Sequence, residues 1–306
     1  MSPAVDLPRW LETPWARLAA MLGAGPAPHA LLLHGPAGIG KRRLAETIAG
    51  AILCTAPSPG PCGACRSCHL VNAGSHPDFR MLIPDEGRSG IAIGSVRELI
   101  DDFNLAAERS RVAIVSPAES MSQGAANAFL KTLEEPAGAV VFLLTSDAPG
   151  RLPATIRSRC RKVALAPPTP CDALAWLEPK AGAPLAGRLL ELAGGAPFTA
   201  LALRDSHDEK ALTALHSETA ALLGGRADPL EVAERWRKTG DGGLVLSALF
   251  AALGVAARRG TADPDRLFAA VDDVLETRRQ WLEVPGLSEQ LVLEGLAIRC
   301  AGAAPA

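Results

Sequence analysis

The residues of this 306-residue chain whose types and spacing could do chemistry fall into three groups. The first is Gly35-Pro36-Ala37-Gly38-Ile39-Gly40-Lys41-Arg42, directly after Leu31-Leu32-Leu33-His34. This is the spacing of a phosphate-binding loop. Its glycines let backbone N–H groups cradle phosphate oxygens at a helix N-terminus, its lysine reaches the outer phosphates, and the next residue supplies a hydroxyl to Mg2+. Gly35, Gly38, Gly40 and Lys41 are present, but Arg42 stands where the hydroxyl belongs and cannot ligate a metal. Such a loop can hold a phosphate or a nucleotide without turning it over. Equally, the glycines can serve close helix–strand packing while Lys41 makes internal ion pairs.

The second group is Cys54-x7-Cys62-x2-Cys65-x2-Cys68, in a stretch that Pro57, Pro59, Gly60 and Pro61 turn back on itself. Four thiolates at this density suit a closed, structural, tetrahedral Zn2+ site, with an iron–sulfur cluster as the chemical competitor. His69 and His76 are alternative ligands whose plainer reading is a surface histidine. Cys160, Cys171 and Cys300 are scattered, and clustering in a chain with no export signal favours metal over disulfides. The third group is the basic set Arg151, Arg157, Arg159, Arg161 and Lys162, whose plain reading is a solvated edge.

A P-loop ATPase also needs an acidic pair at the end of a later strand, one carboxylate for Mg2+ and one for the attacking water. The strand expected to carry it ends Ile114-Val115-Ser116-Pro117-Ala118-Glu119. Serine and proline occupy the expected slots, and Glu119 lies too far on to replace them, so it reads as a loop or first-turn acid.

The elements that must position these groups alternate. Trp15, Leu18, Ala19 and Leu22 mark a helix within residues 8 to 23, Ala30 to His34 a strand buried on both faces, and Leu44, Ile48 and Ile52 the core stripe of a helix after the loop. Phe79 to Ile83, Val112 to Val115, Val140 to Leu144 and Lys162 to Leu165 read as further strands. Between them come a helix opened by a Ser95/Glu98 capping box, one from about Ser122 that stops before Pro136, and a short one opened by Pro153. Strands alternating with helical crossovers predict an α/β parallel sheet covered on both faces. Past Ala166-Pro167-Pro168-Thr169-Pro170 only helices are expected. They break at Gly194-Gly195, Gly224-Gly225, Gly240 to Gly243 and Gly260 to Pro264, and the tail Gly302 to Ala306 is expected to fray.

Composition narrows the function classes. A net charge of -2 gives no overall footprint for nucleic acid or anionic membrane, and 4% aromatic residues without tyrosine offer few stacking platforms. No apolar run approaches the roughly 20 residues of a membrane span. Asp6 and Glu12 in a segment without an apolar stretch argue against a secretory signal. A cytoplasmic protein without membrane contact is the expectation.

Ala126-Asn127-Ala128-Phe129-Leu130-Lys131-Thr132-Leu133-Glu134-Glu135-Pro136, Phe142-Leu143-Leu144 and Leu152-Pro153-Ala154-Thr155-Ile156-Arg157-Ser158-Arg159-Cys160, taken together, carry a resemblance. The chain resembles the bacterial DNA polymerase III clamp-loader subunits, AAA+ proteins that open a ring-shaped sliding clamp and place it on primed DNA. Within them it is most similar to the delta-prime branch, a largely rigid, non-hydrolysing member of the pentamer. The match runs from residue 1 to about 205, and Ser158-Arg159-Cys160 with the four-cysteine insert is its specific part.

The resemblance implies an AAA+ P-loop domain over residues 1–166 with the cysteine module 54–68 inserted, a small helical lid over 167–207 and an all-α collar over 208–306. It implies that Arg159 reaches in trans to a nucleotide held by a neighbouring motor subunit, as a guanidinium suited to phosphate oxygens can. The family's lid arginine aligns with Phe198, and its γ-phosphate sensor falls near Ser146. The implied partners are the motor and clamp-opening subunits directly, and sliding clamp and primer-template DNA through the assembly. The implied role is a component of the polymerase holoenzyme with no ATPase activity of its own. An active motor subunit of the same complex is the alternative. A small-molecule P-loop kinase with a zinc-stabilised lid leaves the long helical C-terminal third without a place.

Overall fold

In the computed structural model the described residues are 7–25, 27–56, 60–85, 90–104, 110–135, 138–260, 262–283 and 288–304. Pro57 and Pro59 of the expected turn, and Pro136, lie outside them. The chain divides into two compact units, Met1–Pro167 and Pro168–Ala306.

The first unit runs α1 (Arg9–Gly23), β1 (Ala30–His34), α2 (Lys41–Leu53), α3 (Arg66–Asn72), β2 (Phe79–Leu82), α4 (Ile93–Asn104), β3 (Arg111–Val115), α5 (Gln123–Glu134), β4 (Val140–Ser146), α6 (Ala154–Arg159) and β5 (Arg161–Ala164). Its five strands form one sheet in the order β2-β3-β4-β1-β5, every pairing parallel. Because strand side chains alternate, successive residues of one apolar run serve opposite faces. Leu32, Val115, Phe142 and Leu144 pack with Val96, Phe103, Phe129 and Ile156 of α4, α5 and α6. Leu31, Leu33, Ile114 and Leu143 pack with Leu11, Leu18, Leu44 and Ile48 of α1 and α2. The α/β AAA+ P-loop architecture expected from the sequence is the one observed.

Two local expectations are corrected, and one element is new. Ser95 does not open α4, which starts at Ile93. Ile91, 2% exposed, exchanges hydrogen bonds with Ser120 and Ser122 and bridges Met121, so a tertiary contact turns the chain into helix three residues early. The cysteine segment holds a helix, α3, started at Cys65, whose thiolate sulfur accepts from the Cys68 N–H. The described part of the tail does not fray: Gly302 and Ala304 donate to the carbonyls of Leu222 and Leu223, and Ala303 is buried.

The second unit is helical throughout its described residues: α7 (Pro170–Ala181), α8 (Ala183–Leu192), α9 (Pro197–Ser206), α10 (Glu209–Leu223), α11 (Pro229–Thr239), α12 (Gly242–Arg259), α13 (Pro264–Glu283) and α14 (Glu289–Cys300). Thr169, Asp208, Asp228 and Asp241 cap α7, α10, α11 and α12 by accepting first-turn N–H groups. One apolar core, centred on Trp236, Leu249 and Leu296, includes residues from α7 through α14. By length and composition α12 could cross a membrane, contrary to the expectation that no run comes close. Half of it is buried inside this unit, against α8, α10 and α13.

Candidate functional site

The loop from Gly35 to Gly40 leaves the C-terminal end of β1 and opens α2. Gly38 and Gly40 have φ of 66° and 96°, in the left-handed region where a side chain is strained, and Gly40 is the N-cap of α2. At Gly35 the constraint is distance: a Cβ there would lie 2.3 Å from the carbonyl oxygen of Leu165, just after β5. Outside the loop, the Trp10 indole N–H of α1 donates to the Ile39 carbonyl at 2.9 Å.

Lys41 is buried at 5% exposure, and its ammonium is fully engaged. It donates to the Gly35 carbonyl at 2.8 Å and to the Pro36 carbonyl, and it pairs with Asp147 Oδ1 at 2.5 Å. Arg42 is turned along the helix to Glu46 at 3.0 Å. At the end of β3, Ser116 Oγ accepts a hydrogen bond from Thr145 at 2.8 Å, and no carboxylate of Ser116 or Pro117 exists to meet a metal. Glu119, on a short 3-10 turn (Ala118–Ser120), instead accepts the backbone N–H groups of Asp147 and Ala148 through Oε1, at 2.7 and 3.0 Å. Ser146, at the expected sensor position, is fully buried, and its hydroxyl has no hydrogen-bond partner among the described residues. In the second unit Phe198 packs against Trp176 with ring centroids 4.7 Å apart and the planes tilted by 35°.

Arg159 ends α6 and precedes β5. Its guanidinium pairs with Glu134, the last residue of α5, and donates to the Thr155 carbonyl at 3.0 Å. The strand register places it: Arg161 is level with Leu31 near the start of β1, while the phosphate loop begins after His34. At about 3.3 Å per residue, Arg161 lies about 13 Å of strand below the start of the loop, so the loop follows the C-terminal end of the sheet and Arg159, two residues before Arg161, precedes its N-terminal end. Lys41, Arg42, Ser116, Glu119, Ser146 and Asp147 are thus gathered at one edge, and Arg159 is not among them. Its neighbour Cys160 is buried in the core, which pushes its thiol up to about 11.

Cys54 caps the C-terminus of α2, which carries the cysteine module away from the phosphate loop. The four sulfurs lie within 4.8 Å of one another, with Cys54–Cys65 and Cys62–Cys68 each at 3.9 Å. A tetrahedral site with metal–sulfur bonds of about 2.3 Å has sulfur–sulfur edges of about 3.8 Å, so the group could hold a metal ion. Hydrogen bonds from Thr55, through its side chain and its N–H, and from the Cys68 N–H lower the Cys65 thiol to about 5. Backbone N–H groups of Ala64 and Cys65 lower Cys62, whereas burial pushes Cys68 up to about 12. His76 is no ligand here. Its Nδ1 accepts from the Asp78 N–H at 3.0 Å, so Nε2 carries the proton and donates to Ser67 Oγ at 2.8 Å, which donates to the Leu53 carbonyl at 2.6 Å. The chain of bonds ties α3 to the end of α2. His69 is exposed and outside the cluster.

Sequence reasoning did not find Asp147 or Glu134, the partners of the two key cations. Asp147 directly follows the flagged Ser146, but its pairing with Lys41 depends on β1 and β4 lying side by side.

A family model described as "DNA polymerase III, delta subunit" matches residues 10–169. DNA polymerase III subunit delta' of Pseudomonas aeruginosa is 39% identical over 237 residues, covering 76% of this chain and 71% of that protein. The Escherichia coli protein of the same name is 33% identical over 319 residues, covering 95% of this chain and 94% of its own length. The chain belongs to the DNA polymerase III delta-prime clamp-loader family. The family-model match over residues 10–169 spans the sheet, the cysteine module and Arg159, and the alignment with Escherichia coli subunit delta' extends through the helical second unit. A DNA polymerase III gamma subunit-related protein from Thermotoga maritima shares the fold, with a TM-score of 0.59 at 16% identity, covering 94% of this chain and 99% of that one.

Proposed function

We propose that this delta-prime family member is a clamp-loader subunit that completes no ATP hydrolysis on its own polypeptide and supplies Arg159 to a nucleotide bound by a neighbouring motor subunit. The observation that carries the reading is the dismantled edge around the phosphate loop. Arg42 replaces the metal-binding hydroxyl, Ser116 and Pro117 replace the acidic pair, and Glu119 is committed to two backbone N–H groups. With neither the motif's hydroxyl nor its acidic pair present to hold Mg2+ and polarise water, in-line phosphoryl transfer lacks its usual electrostatic support. Arg159 supports the second half of the reading by its position, since it lies at the other end of the sheet from the chain's own loop and a third of its side chain is open to solvent.

In this scheme residues 1–166 are the AAA+ domain, 167–207 a lid and 208–306 a collar through which the subunit assembles with motor and clamp-opening subunits in the cytoplasm. Sliding clamp and primer-template DNA are met through that assembly. Cys54, Cys62, Cys65 and Cys68 hold Zn2+, which fixes the module without entering the chemistry. A soft, four-thiolate, tetrahedral set favours zinc over magnesium or calcium.

The rival reading is an active motor subunit, favoured by the intact Gly35, Gly38, Gly40 and Lys41. Mg2+-dependent ATP hydrolysis by the purified chain separates the two. The expected result is no turnover above buffer, and turnover abolished by Lys41→Met would establish the motor instead.

A further inference from the structure

An ammonium has three donors, and Lys41 spends all of them inside the protein, on the Gly35 and Pro36 carbonyls and on Asp147. The Asp147 carboxylate is 43% exposed, so it sits between the lysine and solvent, where an outer phosphate would arrive. It is also held there. Glu119 Oε1 takes the N–H groups of both Asp147 and Ala148, fixing the turn after β4 that carries the carboxylate. A phosphate entering the loop would have to displace a carboxylate from a buried lysine and then lie beside its negative charge. Arg42, the cation next in sequence, is engaged with Glu46 on the helix surface.

We infer that Asp147 is the loop's internal counter-ion, occupying the place of an outer phosphate, and that Glu119 positions it, so that the loop is closed to nucleoside di- and triphosphates. The inference rests on the reading that the chain turns over no ATP and adds the reason nucleotide is kept out. The acid that follows β3 holds the turn through these two bonds. Glu119 is therefore a positioning residue, and Asp147 decides whether the loop accepts an anion.

The test uses the full chain and two readouts that need no turnover. One is titration with fluorescent ADP and ATP analogues, with Mg2+ and with EDTA; the other is the melting temperature with ATP or inorganic tripolyphosphate. Wild type is expected to show neither binding nor a melting shift at millimolar ligand. Asp147→Ala and the isosteric Asp147→Asn are expected to bind at least about tenfold tighter, about 1.4 kcal/mol, and to be stabilised by tripolyphosphate. Adding Lys41→Met to either removes the gain, and Glu119→Ala gives a smaller gain of the same sign by loosening the turn. If Asp147→Ala does not fold, Asp147→Asn carries the test alone. Wild type binding as tightly as the variants, or folded variants that still reject nucleotide, would overturn the inference. ATP hydrolysis by wild type would overturn the parent reading, and the two failures are read from different experiments.

Discussion

Cys54, Cys62, Cys65 and Cys68 are chemically unequal although the spacing presents them as four alike. Cys65, lowered to about 5 by hydrogen bonds from Thr55, is thiolate at neutral pH, and Cys68, raised to about 12 by burial, is thiol. The thiolate is the nucleophile, so in metal-free protein at neutral pH iodoacetamide should label Cys65 well before Cys68, as read by peptide mass spectrometry. Zinc should protect all four. Metal uptake strips the remaining protons, so affinity should fall as pH drops from 7 toward 5 and Cys65 begins to be protonated. Equal labelling of Cys65 and Cys68, or no protection by zinc, would contradict this picture. Residue types that depart from a motif were legible in the sequence, as Arg42 and Ser116-Pro117 show. The partners Asp147 and Glu134 were not, because an ion pair between distant parts of the chain leaves no local pattern.

At the scale of elements, β1 and the loop after it are set by how closely the backbone of β5 passes. The oxygen of Leu165 lies 2.3 Å from where a Gly35 Cβ would be, and a backbone atom cannot swing aside as a side-chain tip can. Gly35→Ala should therefore cost about 1–3 kcal/mol, as overpacking does, seen as a lower urea midpoint at unchanged slope. Gly23→Ala, at a helix end with open space around the new methyl, should leave the midpoint unchanged or raise it slightly. The strands were legible because apolar runs such as Leu31-Leu32-Leu33 must be buried on both faces, and the helices by their core stripes. Where the reading slipped, tertiary contact overrode local code. Ile91 started α4 before the Ser95 box, and Leu222 and Leu223 tied down the described tail, whereas α3 was missed because its cap is a cysteine sulfur rather than a hydroxyl or carboxylate.

For the molecule as a whole, the parallel sheet separates Lys41 and its loop from Arg159 along its strands. Lys41 and the closed loop stand at the C-terminal edge, and Arg159 stands at the N-terminal edge, held by Glu134. Both motifs were legible in the sequence but their separation was not, because it follows from strand register; that separation argues for the trans role proposed for Arg159. The most direct measurement is the ATPase rate of the reconstituted loader, with clamp and primed DNA, carrying Arg159→Ala in this subunit. An arginine finger is worth on the order of 10^3-fold at the site it serves, so total turnover should drop by that site's full share while subunit composition on gel filtration is unchanged. A mutant loader that assembles and hydrolyses ATP at the wild-type rate would contradict the trans role.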